Sequence, residues 1–245
     1  MKTAALLIAM FLPAAAMAQV PQAPMSAQVP QAPMSAQAQA HGHSHDGDDD
    51  AAPAGSIKPK HMVPATATSP AFIQLAKNVE IIPNIEDAVN IPAAQMTHEG
   101  LFGPLLFAEN NRAFFIELQP GMFLGEHPHD TGSIIYTVRG KWVLASEGKR
   151  QVMEAGSLFR FGDGMPTGWE APFNEPALLL VVKGKQGRED FATFNAGIKS
   201  MQASVDKDRK AGGVYYFNEL SPDHAAIKFA RSVNPKFDDV LKIKY

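Results

Sequence analysis

The stretch GMFLGEHPHDTGSIIYTVRG, residues 121–140, sets two histidines, His127 and His129, one residue apart between turns marked by glycine. In an extended segment side chains alternate faces, so both imidazoles point the same way. Pro120-Gly121 marks a turn before the pair and Thr131-Gly132 a turn after it; Gly140 closes the apolar run 133–139. The spacing predicts a strand carrying both histidines, a turn and a second strand. On that second strand Ile135 occupies one face, and Ile134, Tyr136 and Val138 the other. A strand wetted on one side would alternate apolar with polar. Both faces are therefore expected to be covered, one by the interior and the other by terminal segments or by a second subunit in a homodimer.

Working outward, strand and turn signals recur at intervals of roughly 8 to 12 residues, the rhythm of a sandwich or barrel. Strands are expected at 102–107 and 112–119, joined through Glu109-Asn110-Asn111, then at 122–129, 133–139, 141–146, 150–153, 158–161 and 177–183. A Gly/Pro-rich loop is expected before the last of these. Pro70, Pro83 and Pro92 predict short irregular pieces ahead of the first. Beyond Gly187 the pattern changes. Phe191, Phe194, Ile198, Met201 and Val205 fall three and four apart, one stripe of a helix ending at Gly212-Gly213. Ser221-Pro222 reads as the start of another helix that stops before Pro235. Leu241, Ile243 and Tyr245 alternate with Lys242 and Lys244, the pattern of a final edge strand.

The chain has 245 residues, 45% hydrophobic and 19% charged, with a net charge of -3. That balance points to neither nucleic acid nor a membrane surface as partner. The absence of cysteine excludes disulfides, thiolate chemistry and cysteine-based zinc sites. Lys2, the apolar run ALLIAMFLPAAAMA and Ala16-Met17-Ala18 read as a signal peptide over 1–18, and hence as an exported, periplasmic protein. The run is shorter than the ~20 residues a membrane span needs. Two copies of VPQAPMSAQ, at 20–28 and 29–37, open a disordered linker over 19–68. Within it, HGHSHDGDDD at 41–50 sets His41, His43 and His45 beside Asp46, Asp48, Asp49 and Asp50. Such a tract is either a solubilising tail or a collector of Zn, Ni or Cu ions. The folded domain is expected over 69–245.

Gly121, five residues, His127-x-His129 and Gly140 resemble the first motif of the cupin superfamily, with Ser133 where the family carries glutamate. The stretch GSLFRFGDGMPTGWEAPF, residues 156–173, resembles the second. Gly156 matches its first glycine, Gly162-Asp163-Gly164 its Pro-x-Gly turn, Thr167 the place of its histidine and Ala171 that of its asparagine. The resemblance implies an all-β fold, a cupin-type (RmlC-like) antiparallel β-barrel or jelly roll, here with C-terminal helices. It also implies His127 and His129 as ligands of a divalent metal (Fe, Mn, Ni or Zn), two of the usual four. Glu126, Asp130, Glu170 and His98 are the candidates to complete such a set. Ser133, Thr137 and Thr167 would line a polar small-molecule pocket with the histidines, Thr167 facing them across the cavity. Trp142, Trp169 and Tyr136 read as core or pocket-wall aromatics. Three functions compete: a metal-dependent oxygenase- or lyase-type enzyme, a non-catalytic small-molecule-binding cupin, and a periplasmic metal-handling protein that recruits ions through the His/Asp tract.

Overall fold

The computed structural model describes residues 61–244. The expected signal peptide and the His/Asp tract lie outside the described residues, as does most of the linker. At the linker's end, inside the stretch expected to be unstructured, β1 (Met62–Val63) already pairs with β2 (Phe72–Ala76), and β3 (Val79–Ile81) completes a small antiparallel sheet. A 3-10 turn, Ile85–Asn90, follows, its first free N–H groups capped by the Asn84 side chain accepting from Glu86.

Ten further strands make two sheets. They are β4 (Gln95–Thr97), β5 (Gly100–Phe107), β6 (Asn111–Leu118), β7 (Phe123–Pro128), β8 (Ser133–Arg139), β9 (Lys141–Ser146), β10 (Lys149–Glu154), β11 (Leu158–Phe161), β12 (Pro166–Glu170) and β13 (Ala177–Gly184). The smaller sheet has the order β10-β9-β12-β7 and the larger β11-β8-β13-β6-β5-β4, with every ladder antiparallel. The chain passes back and forth between the sheets, so early and late strands interleave in each, the winding of a two-sheet jelly roll. The expected closed barrel is not formed: among the described residues no ladder joins the two sheets. Side chains bridge them instead. Phe114, Ile116, Ile135, Leu179 and Val181 of the larger sheet meet Leu124, Trp142 and Trp169 of the smaller in one core.

The opposite face of the larger sheet is covered in part by the chain's own N-terminal segment. Phe115 and Leu178, which alternate with the inward residues, pack with Ala88 and Leu105, and Ile85, Val89 and Val138 close around them. This is the terminal covering that the doubly apolar strand called for. It stops short of Ile134 and Tyr136, which are 52% and 41% exposed. Tyr136, expected in the core or the pocket wall, thus stands on the outside.

Strand β12 replaces the loop expected there, and lies in the middle of its sheet between β9 and β7. Proline is tolerated as a strand's first residue, the position of Pro166. Gly168 sits at a register shift where a Cβ would come within 2.6 Å of the Leu124 carbonyl oxygen, so the two backbones meet at a distance only glycine allows.

The helical stripe is found as α1 (Phe191–Lys210), opened by a capping box between Asp190 and Thr193 and packed on β4 and β5. The next helix starts later than expected. Ser221 and His224 form a turn (N–H to carbonyl 2.9 Å), and α2 (Ala225–Val233) begins after it, capped by the His224 ring accepting from Ala226. The expected terminal strand is instead α3 (Phe237–Val240) and a hydrogen-bonded turn. There Leu241 and Ile243 close over Phe217, Ile227 and Phe237, and burial on that cluster outweighs the strand-like alternation. Among the described residues no helix is long and apolar enough to cross a membrane.

Candidate functional site

Strand β13 lies between β6 and β8, and its register aligns their inward side chains in rows. Val181 sits opposite Phe114 and Ile135. One step nearer the strand end, Lys183 sits opposite Arg112 and Ser133. Period-two alternation thus carries a polar row, Ser133–Lys183–Arg112, to the end of an otherwise apolar inner face. These rows line a cavity of about 340 Å³, together with Glu99, Phe102, His129, Phe161 and Trp169, and it is roofed by Thr193, Phe194, Gly197, Ile198 and Met201 of α1. Arg112 forms an ion pair with Glu189, just ahead of α1, and its guanidinium lies 5.4 Å from the Phe194 ring centre and 5.8 Å from that of Phe114. The roof helix is thereby tied to the floor strand.

The two histidine rings do share a face, 4.5 Å apart. Only His129 lines the cavity, set against Phe161 at 4.5 Å and Trp169 at 5.7 Å. Its Nε2 is 2.7 Å from the Thr167 hydroxyl. Thr167 does not face the pair across the cavity; it lies on the neighbouring strand, registered with His127. Burial pushes the His129 imidazole down to about 4, with His127 and Lys183 adding to the effect, so the ring is neutral at pH 7. His127 is half-buried, and its Nδ1 is 3.1 Å from the Gly125 carbonyl oxygen. A carbonyl only accepts, so Nδ1 carries a proton, and in the neutral tautomer Nε2 is the nitrogen with the lone pair.

Ser133 lines the cavity. Thr137, two residues on, does not: it is fully buried, and its hydroxyl accepts the Trp142 indole N–H at 2.9 Å, binding core to core. Arg112, Lys183 and the roof of α1 were not singled out by the sequence reading. The signal was present as two cations on the inward parity of apolar strands, Lys183 with Leu179 and Val181, and Arg112 with Phe114 and Ile116.

The side chains considered as further metal ligands are engaged elsewhere or exposed to solvent. Glu126 accepts the Gly148 N–H at 3.0 Å. Glu170 is fully buried and held by Arg150 Nε at 2.9 and 3.2 Å, and burial nonetheless pushes its carboxyl up to about 7. His98 lies 3.8 Å from Glu99 with its ring against Tyr215, and Asp130 is exposed. Among the described residues no three histidine, aspartate or glutamate side chains are grouped to hold a metal ion. Two imidazoles, one already bonded to a hydroxyl at Nε2, do not fit a centre that draws three or more ligands from the protein.

A two-sheet β protein with a ligand-sized cavity between its layers is what the fold and site define. Residues 114–183, from β6 to β13, match the family model described as the cupin domain, and this part of the chain is a cupin of the cupin superfamily. Similar solved structures include an RmlC-like cupin from Shewanella frigidimarina, 21% identical over 40% of this chain and 86% of its own, with a TM-score of 0.35. The polyketide cyclase RemF from Streptomyces resistomycificus is 16% identical over 46% of this chain and 87% of its own (TM-score 0.34). The DMSP lyase DddQ from Ruegeria pomeroyi is 17% identical over 34% of this chain and 42% of its own (TM-score 0.31). No curated protein matches the chain.

Proposed function

We propose that this cupin is an exported protein that binds a small organic molecule between its sheets by hydrogen bonds and apolar contacts, without a resident metal. The observation that carries this reading is the 2.7 Å contact between His129 Nε2 and the Thr167 hydroxyl. The position that resembles a ligating histidine of the family is a hydroxyl, and it engages the imidazole nitrogen a metal would need. A neutral His129 then serves as a hydrogen-bonding group beside Ser133, while Phe161 and Trp169 supply apolar contact.

Elemental analysis separates the three readings. Full-length protein, a variant with His41, His43 and His45 changed to alanine, and a His127→Ala/His129→Ala double variant are compared after purification without an affinity tag. Substoichiometric metal in the tract variant is expected, together with thermal stabilisation by members of a small-molecule library that disappears in His129→Ala. At saturation a hundredfold above Kd that stabilisation amounts to about 2.7 kcal/mol. One metal per chain in the tract variant, lost in the double variant, would establish the oxygenase- or lyase-type reading, for which the free Nε2 of His127 is the one favourable feature. Metal held by the wild type and lost in the tract variant would establish metal handling.

The uncovered strip on the larger sheet supports a homodimer. Tyr136 pairs with Leu158, and Ile134 with Val182, so the exposed side chains of three strands form one patch. Sedimentation velocity is expected to give twice the chain mass for the wild type and a monomer for Tyr136→Glu. A monomeric wild type at micromolar concentration would rule the dimer out.

A further inference from the structure

The polar row at the cavity's end says what kind of molecule the site takes; this rests on the cavity being a small-molecule site. Lys183 and Arg112 stand directly opposite each other on adjacent antiparallel strands, both on the inward face. Like charges in that relation repel and are destabilising. Glu189 compensates one of them, Arg112. Among the described residues no carboxylate lies within ion-pair distance of Lys183. Glu99 lines the same cavity, and Asp130 and Asp163 act from further off. Their pull is smaller than the effects of burial and of Arg112, which together hold the Lys183 ammonium below the usual lysine range.

The polar atoms left without partners in the cavity's walls are also of one kind. Arg112 Nε and the Trp169 indole Nε1 are buried and unbonded, and both are N–H donors. A buried donor without an acceptor costs about 1–3 kcal/mol, so a site that holds two of them beside an unpaired ammonium is built for an acceptor with negative charge. One uncompensated cation calls for one negative charge. The remaining walls, Phe102, Phe114, Ile135, Phe161, Val181 and Phe194, call for hydrocarbon. The volume, about 340 Å³, stands at the small end of the range for ligand pockets, the size of a single ring or a short chain.

We infer that the ligand is a small monocarboxylate with an apolar body, its carboxylate seated on the Ser133–Lys183–Arg112 row and its hydrocarbon held between the sheets beneath α1. Calorimetry on the full-length protein at neutral pH tests this with matched acids and primary amides: benzoate and benzamide, cinnamate and cinnamamide, hexanoate and hexanamide. At least one acid is expected to bind about tenfold or more tighter than its amide, the usual scale of a charge-assisted contact. Lys183→Met is expected to bring the pair to equal affinity, and Lys183→Arg to retain the preference, which separates loss of charge from loss of fold. Amides binding as tightly as their acids would overturn the carboxylate inference and leave the small-molecule reading standing. So would a preference that survives Lys183→Met. Failure of all six compounds to bind would overturn both.

Discussion

Alanine at Gly140 is expected to destabilise the protein by about 3–5 kcal/mol, the range of the most damaging point substitutions. Two effects add at this position. Gly140 has φ 78°, in the left-handed region where a side chain costs roughly 1–2 kcal/mol. A Cβ there would also lie 2.4 Å from the Pro176 carbonyl oxygen and 2.8 Å from Ala177 Cα. Both obstacles are backbone, so relief requires moving the start of β13, where Ala177 pairs with Leu118 and Leu178 with Arg139. Gly148 supplies the control: its φ is 74°, and nothing lies within 4 Å of its Cβ position. Gly148→Ala therefore carries the backbone cost alone, roughly 1–2 kcal/mol. Denaturant unfolding of the two variants reads the clash as their difference. If they match, the crowding between Gly140 and β13 is not there in solution.

The second large effect is on His129, in metal-free protein. Its folded-state pKa, about 4, lies below the ordinary 6.5 because burial, His127 and Lys183 all disfavour the charged ring, against weaker support from Thr167 and Asp130. For a depressed histidine pKa the unfolded chain takes up the proton first. Its contribution to stability is therefore complete above pH 6.5 and is lost as the pH falls from 6.5 to about 4. Each pKa unit is worth about 1.4 kcal/mol, which sets a ceiling of about 3.5 kcal/mol. Solvent contact on a half-buried ring reduces this to about 1–2 kcal/mol. Glu170 acts in the opposite sense. Its pKa is raised from 4.5 to about 7, so it favours the folded state more as the pH falls through that window. Total stability then blends two opposed trends. The difference between wild type and His129→Gln removes Glu170 from the comparison, and it should shrink as pH drops. Proton NMR of the ring is expected to show no titration until well below pH 6.5. A His129 midpoint near that value would mean the imidazole is not packed between Phe161 and Trp169.

What the chain disclosed locally and what it kept back follow the range of the interactions. Gly121 and Gly140 both have positive φ, and they bound strand segments whose turns need that conformation; 133–139 and 158–161 are strands with the expected limits. The inward stripe of α1 was equally plain, since three- and four-residue spacing is a local property. Strand β12 was hidden because Pro166 and Gly168 are turn residues by composition, and only the approach of Leu124 explains the glycine. Of the candidate site, His129 and Ser133 line the cavity; Thr167 reaches it only through His129, and Thr137 holds Trp142. That sorting depends on register between strands far apart in sequence. The Lys183–Arg112 pairing arises in the same way, from a ladder between the last residue of the family match and one just ahead of its start.

The roof of the cavity has an origin different from its walls. Phe194, Ile198 and Met201 all belong to α1, whereas the cupin-domain match ends at residue 183. On the small-molecule reading proposed above, part of the contact with a ligand's hydrocarbon end therefore comes from one 20-residue helix outside the family match. Substitutions at Ile198 or Met201 would then reshape the chamber from above, whereas Phe194 is also tied to the charged row through the Arg112 guanidinium.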